Sequence, residues 1–128
     1  MIFPFRRLMQ NLGAIPIDRR PAKDLRRHSM VDEMSTLLRN AQNDLFLVVT
    51  PEATRKRRDH WKTGFYHIAV AADVPILLGF LDYKTKRCGI AEVFHPTGNM
   101  EQDMRSIMRF YQTVNPKYPE LFSVDKRY

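Results

Sequence analysis

"VPILLGFLDYKTKRCGIAEVFH", residues 74–95, sets two apolar runs on either side of a short polar stretch. The first run, 74–83, does not alternate, so it reads as a strand covered on both faces. The second, 88–95, is a further strand, and "KTKR" (84–87) between them has the composition of a turn, so the two are expected to pair as a hairpin. Upstream, "HWKTGFYHIAVAAD" (60–73) places Trp61, Phe65, Ile68, Ala69 and Ala72 at helical spacing. Downstream, "NMEQDMRSIMRFYQTV" (99–114) reads as a helix with Asn99 as N-cap and acidic residues in its first turn, followed by the Pro-rich tail "NPKYPELF".

The pattern continues toward the N-terminus. "DLFLVVT" (44–50) is an apolar run without alternation and is expected to be a strand buried on both faces. "AKDLRRHSMVDEMSTLLRNAQN" (22–43) is expected to be helical, with Leu25, Met30, Met34, Leu37, Leu38 and Ala41 near one side, and "GAIPID" (13–18) is a brief strand or extended turn. In "MIFPFRRLMQNLG", Phe5, Leu8, Met9 and Leu12 share a helical face, which packs on the core in the plainer reading and rests on a membrane surface in the other. This order of elements predicts an α/β fold, a sheet with helices on its faces. A chain of 128 residues with 44% hydrophobic content has the material for one core, so residues 1–128 are expected to form a single domain.

Charge narrows the partners. The chain has 21 basic and 14 acidic residues, a net +7, and residues 1–60 hold 12 of the basic ones. Anionic partners are favoured: a lipid headgroup surface, a phosphorylated small molecule or nucleic acid. Nucleic acid is the weakest of these, because the aromatic residues lie in apolar runs and do not interleave with the arginines as a stacking platform requires. The single cysteine, Cys88, excludes an internal disulfide, fits a reducing compartment and is expected to serve packing. The apolar region 65–81 is interrupted by His67, Asp73 and Pro75 and falls short of a membrane span, and the N-terminus lacks the pattern of a signal peptide. A cytoplasmic protein, peripheral on the inner membrane face where it meets a membrane at all, is the expectation.

Ligands of open α/β sheets bind at the carboxyl ends of the strands. Two basic clusters fall there in this reading, Arg19 and Arg20 after "GAIPID", and Arg55, Lys56, Arg57 and Arg58 after "FLVVTPEAT". Guanidinium groups at neighbouring strand ends suit bidentate contact with a phosphate. For any one of them, a solvated loop is the plainer reading.

"GAIPIDRR", "VTPEATRKR" and "VPILLGFLDY", in this order and spacing, resemble the second, third and fourth motif blocks of the glycerolipid acyltransferase family, typified by 1-acylglycerol-3-phosphate acyltransferase. The likeness covers roughly Phe3 to Val93, and "DHWKTGFYHIA" adds to it. The resemblance implies a partial sheet of that family flanked by helices. It also implies acyl transfer from acyl-CoA or acyl carrier protein, the donor serving as co-substrate with no further cofactor, to the hydroxyl of a lysophospholipid in phospholipid biosynthesis. Arg19 and Arg55 carry over as ligands of the acceptor's phosphate, with Glu52 and Thr54 shaping the site, and Pro16 and Pro75 as turn formers. An anionic membrane surface is a further partner on this reading, and the remaining cations of the loop face either the donor or that surface.

Two departures from the family pattern stand out. Its catalytic block, H-x-x-x-x-D, is absent: Asp32 follows His28 one residue too close, Asp73 follows His67 one too far, and His60 and His95 have no acid at that spacing. No catalytic residue is therefore assigned, and the expectation is an N-terminally truncated domain without activity of its own, or a binder of lipid phosphate or membrane surface. A truncated sheet is expected to have an open edge and an exposed apolar face. His60 lacks an orienting acid in the sequence, and His67 is expected as a hydrogen-bonded core or boundary residue. The second departure is Ala53 where the family has glycine, which costs on the order of 1 kcal/mol if that position needs a positive φ.

Overall fold

A computed structural model of the chain describes residues 30–128. Two compact units are distinguishable, Met1–Met30 and Val31–Tyr128, and apart from Met30 the elements below belong to the second. The expected first helix, the "GAIPID" segment, Arg19, Arg20 and Pro16 lie outside the described residues.

Helix α1, Met30–Arg39, has Asp32 and Glu33 in its first turn and Arg39 in its last, each charge complementing the helix dipole. It buries Met34 and Ser35 and ends four residues short of the expected limit. The segment 44–50 that follows corrects the sequence reading: "DLFLVVT" forms no strand and is exposed throughout. Phe46 is 72% and Val48 89% exposed. Its apolar composition shows what the chain can bury, and among the described residues no strand pairs with it.

Helix α2, Gly64–Ala72, buries Tyr66, Ile68, Ala69 and Ala72, close to the expected face. It stops at Asp73, whose left-handed φ of 56° lets the Val74 N–H reach back to the Ala69 carbonyl at 3.1 Å. Pro75 then bars continuation. His67 is exposed, contrary to the expectation of a core or boundary histidine, because it sits on the outward face between the buried positions 66 and 68.

The hairpin is as expected. Strand β1, Ile76–Asp82, pairs antiparallel with β2, Arg87–Phe94, from Ile76 opposite Phe94 to Asp82 opposite Arg87, with an irregularity between Leu77 and Gly79. The turn is shaped by Asp82 Oδ1, which accepts the Thr85 N–H at 2.8 Å, and by Lys86 at φ 55°. Burial differs from the two-sided covering expected of β1: Leu78 is buried, but Gly79 and Leu81 are exposed, and β2 is exposed from Arg87 to Val93. An antiparallel pair needs cover on one face only. Cys88 is accordingly exposed and does not serve packing.

Helix α3, Met100–Gln112, covers the inner face. Asn99 Oδ1 accepts the Gln102 N–H at 3.2 Å, the expected N-cap. Met104, Ile107 and Met108, one stripe at i, i+3 and i+4, are fully buried with Trp61 and Leu78, and Phe65, Ile76 and Phe94 close around them. The Tyr111 hydroxyl donates to the Gly79 carbonyl at 2.8 Å, and the Asn115 side chain to Asp82 Oδ2 at 2.7 Å, tying the end of α3 to β1. The chain then passes a 3-10 turn at Pro119–Leu121, and residues 123–127 return to the segment ahead of α2. The result is a partial two-stranded sheet flanked by helices in an α/β unit. Among the described residues no helix is long and apolar enough to cross a membrane.

Candidate anion site

The loop between residue 50 and α2 is built on a tight turn. The Thr50 carbonyl accepts the Ala53 N–H at 3.0 Å, Pro51 pre-sets the second position, and Ala53 follows at φ 55°. Glycine suits that fourth position because it alone adopts positive φ without Cβ strain. Thr54 Oγ1 accepts the Lys56 N–H at 3.2 Å, and the Lys62 N–H donates to the Pro51 carbonyl at 2.8 Å, closing the loop on itself. Ala53→Gly is expected to stabilise the unit by about 0.5–1 kcal/mol, the left-handed strain relieved less the backbone entropy glycine adds. Thermal unfolding checks it, and a lowered Tm would show that the turn tolerates Cβ without strain.

Inside this loop lies an open cavity of about 760 Å³, lined among others by Glu52, Thr54, Arg57, Arg58, Lys62 and Arg127. Arg57 Nε stands 3.8 Å from Asp59, whose carboxylate also meets Lys126 Nζ at 3.1 Å. Arg58 and Lys62 have no carboxylate partner among the described residues, which leaves a surplus of cationic donors. Glu52 is half-buried without an ion partner among them, and burial pushes its carboxyl up. A second cavity of about 220 Å³, beside Asp73 and His95, carries no Lys or Arg.

One wall comes from the far end of the chain. Asp125, fully buried, accepts the Trp61 N–H on Oδ2 at 2.9 Å and is gripped by Arg127, with Nε 3.0 Å from Oδ1 and Nη2 2.6 Å from Oδ2. Arg127 Nη2 also donates to the Trp61 carbonyl at 2.9 Å, and Trp61 Nε1 to the Ser123 carbonyl at 3.2 Å. Burial by itself raises the Asp125 carboxyl; the Arg127 fork and the Trp61 N–H outweigh it and hold the group well below the usual carboxylate range.

His60 lines the same cavity, with Nδ1 3.5 Å from Asp125 Oδ1. That separation exceeds the ordinary hydrogen-bond range, and the carboxylate is already held by Arg127 and Trp61, so His60 gains no orienting acid from it.

The structure therefore brings Glu52 and Thr54 together with Arg57 and Arg58. Arg55 is exposed and is not among the lining residues, and Arg19 lies outside the described ones. The basic loop does not follow a strand end, since 44–50 is not a strand. Asp125 and Arg127 were not legible as site residues: "SVDKRY" has no motif spacing, and only its return to Trp61 gives it a role.

The α/β unit thus carries a cavity rich in Arg and Lys beside its P-E-x-T-R loop. An acyltransferase family model matches residues 1–77, more than half of the chain. The chain belongs to the acyltransferase family, as its three motif blocks imply. Searches of curated proteins and of solved structures gave no match. The family match includes the whole basic loop and α2 but stops at the start of β1, so α3 and the C-terminal wall of the cavity lie beyond it.

Proposed function

We propose that this acyltransferase-family chain binds a lysophospholipid acceptor such as 1-acylglycerol-3-phosphate, for acylation by acyl-CoA or acyl carrier protein in phospholipid biosynthesis. The observation that carries the reading is the shared cavity of Glu52 and Thr54, both from the family's third block, with Arg57 and Arg58. Guanidinium donors there suit the two or three oxygens of a phosphate monoester. By resemblance Arg19 and Arg55 contribute to the same phosphate. In the reaction the acceptor hydroxyl attacks the thioester carbonyl, a C–O bond forms, the C–S bond breaks, and the hydroxyl proton ends on the departing thiol. A base must carry that proton, and no histidine here has the family's H-x-x-x-x-D context. The 128-residue chain is accordingly expected to bind acceptor headgroup without turnover, on the inner face of a cytoplasmic membrane.

Calorimetric titration with glycerol 3-phosphate, against glycerol as control, tests the reading. Binding of the phosphate alone, weakened at least tenfold by the double change Arg57→Ala, Arg58→Ala, is the expected result; equal responses to both probes would overturn it. Thiol release from acyl-CoA that needs a lysophospholipid and vanishes in His60→Ala would overturn the expectation of no turnover.

The exposure of Phe46 and Val48, a few residues before Arg55–Arg58, favours a second reading, a non-catalytic binder of anionic membrane surfaces. Co-sedimentation with phosphatidylglycerol vesicles but not with phosphatidylcholine vesicles, without glycerol 3-phosphate binding, would select it.

A further inference from the structure

The C-terminal segment has a feature that its structural role leaves unused. A guanidinium has five N–H donors. In Arg127, Nε and both hydrogens of Nη2 are committed to Asp125 and the Trp61 carbonyl. The two donors of Nη1 have no hydrogen-bond partner among the described residues, although the guanidinium lies 5.5 Å from the centroid of the Tyr128 ring; the side chain is 45% exposed, and the residue lines the cavity that holds Glu52, Thr54, Arg57 and Arg58. A forked grip on a buried carboxylate freezes a side chain that otherwise loses much rotamer entropy on binding a ligand. Asp125 is itself fixed by the Trp61 N–H, and Trp61 belongs to the core. Arg127 is thus a pre-organised donor pair, brought to the site across 66 residues of chain from Trp61.

We propose that Arg127 is a ligand of the acceptor's phosphate through its two uncommitted Nη1 donors, and that Asp125 is the positioning residue that holds the guanidinium against Trp61. The proposal rests on the reading of the cavity given above and adds to it a residue outside the family-matched region. Asp125 cancels much of the charge of Arg127, so the attraction of the anion falls to Arg57, Arg58 and Lys62. The contribution of Arg127 is directional, fixing the phosphate relative to Glu52 and Thr54.

Glycerol 3-phosphate titrated into the 15N-labelled chain tests this directly, because the Nε–H of Arg127, held by Asp125, exchanges slowly enough to follow. The guanidinium resonances of Arg127 are expected to shift with the same saturation curve as the calorimetric binding. Arg127→Gln, which removes the Nη1 pair while keeping an amide donor, is expected to weaken binding about tenfold, and Glu120→Gln, on the exposed 3-10 turn, to leave it unchanged. Asp125→Asn is expected to weaken it less than Arg127→Gln, with broadened Arg127 resonances. Binding with silent Arg127 resonances would overturn this proposal and leave the cavity reading standing, and no binding by the unaltered chain would overturn both. The resonance test needs no substitution, so a variant that fails to fold does not shield the proposal.

Discussion

Asparagine in place of Asp103 is expected to lower the unfolding free energy by about 3 kcal/mol, the loss of charge-assisted hydrogen bonds inside the unit. Asp103 is 2% exposed. Its Oδ2 accepts the Tyr66 hydroxyl at 2.7 Å and the Thr97 N–H at 2.7 Å, and its Oδ1 accepts the Thr97 hydroxyl at 2.8 Å. Three donors point at two oxygens; an amide keeps one acceptor and puts an NH2 in place of the other, so the Thr97 hydroxyl must turn from donor to acceptor and all three bonds lose the assistance of the charge. These contacts join α2, the loop before α3 and α3 itself. Urea unfolding measures the change, and a loss below about 1 kcal/mol would show that the loop at Thr97 rearranges to satisfy the amide.

The same cluster sets a pH dependence with a definite sign. Burial raises the Asp103 carboxyl, and the bonds from Tyr66 and Thr97 outweigh it and hold it below its ordinary value. A carboxyl lowered on folding contributes its full stabilisation above about pH 4, its unfolded value, and loses it as pH falls further. Tyr66 is pushed up to about 12, by burial first and by Asp103 next. A phenol raised on folding contributes fully below about pH 10, and that contribution is lost as pH climbs toward 12. The stability profile should therefore fall at both ends. Asp103→Asn flattens part of the acid limb, to which the lowered carboxyls of Asp125 and Asp82 also contribute, and Tyr66→Phe flattens the alkaline limb. An alkaline limb unchanged in Tyr66→Phe would remove Tyr66 from the account.

Trp61→Ala is expected to cost about 4 kcal/mol, in the range for a large aromatic removed from a packed core. The indole lies among Leu78, Met104, Ile107 and Met108, with its ring centroid 5.3 Å from that of Tyr111 in an edge arrangement. It is also the anchor of the C-terminal wall, through Nε1 to Ser123 and its backbone to Asp125 and Arg127. Loss should therefore be local as well as global. The Lys126 N–H, which donates to the Asp59 carbonyl at 3.0 Å, is expected to lose hydrogen-exchange protection before the amides of the hairpin. Trp61→Phe keeps most of the bulk and gives up only the Ser123 bond, so its cost is about 1–1.5 kcal/mol. Equal costs for the two changes would mean that packing of the indole is not what holds the tail.

Features of this chain that depend on neighbours in the sequence could be read without a structure. The hairpin of β1 and β2 follows from two apolar runs around a polar turn, α2 from apolar residues three and four apart ending at Asp-Val-Pro, and α3 from Asn99 ahead of an acidic first turn. Ala53 belongs here too: the family's glycine marks a position that needs positive φ, and the turn does place Ala53 at 55°. Family membership was legible for the same reason, because three short blocks carry it.

The sequence by itself also determined that a cluster of arginines would face solvent after residue 54, and it named Glu52 and Thr54 beside them. Tertiary structure decided what burial and partnership require. It left 44–50 exposed where an apolar run predicted a covered strand, and it exposed Cys88 and His67. It grouped Arg57 and Arg58, with Arg55 outside, around Glu52 and Thr54. It also brought Asp125 and Arg127 to Trp61 from the opposite end of the chain. An apolar or charged side chain fixes the free energy available from a cover or a counter-ion, whereas the presence of that cover or counter-ion depends on where a distant segment of the chain returns.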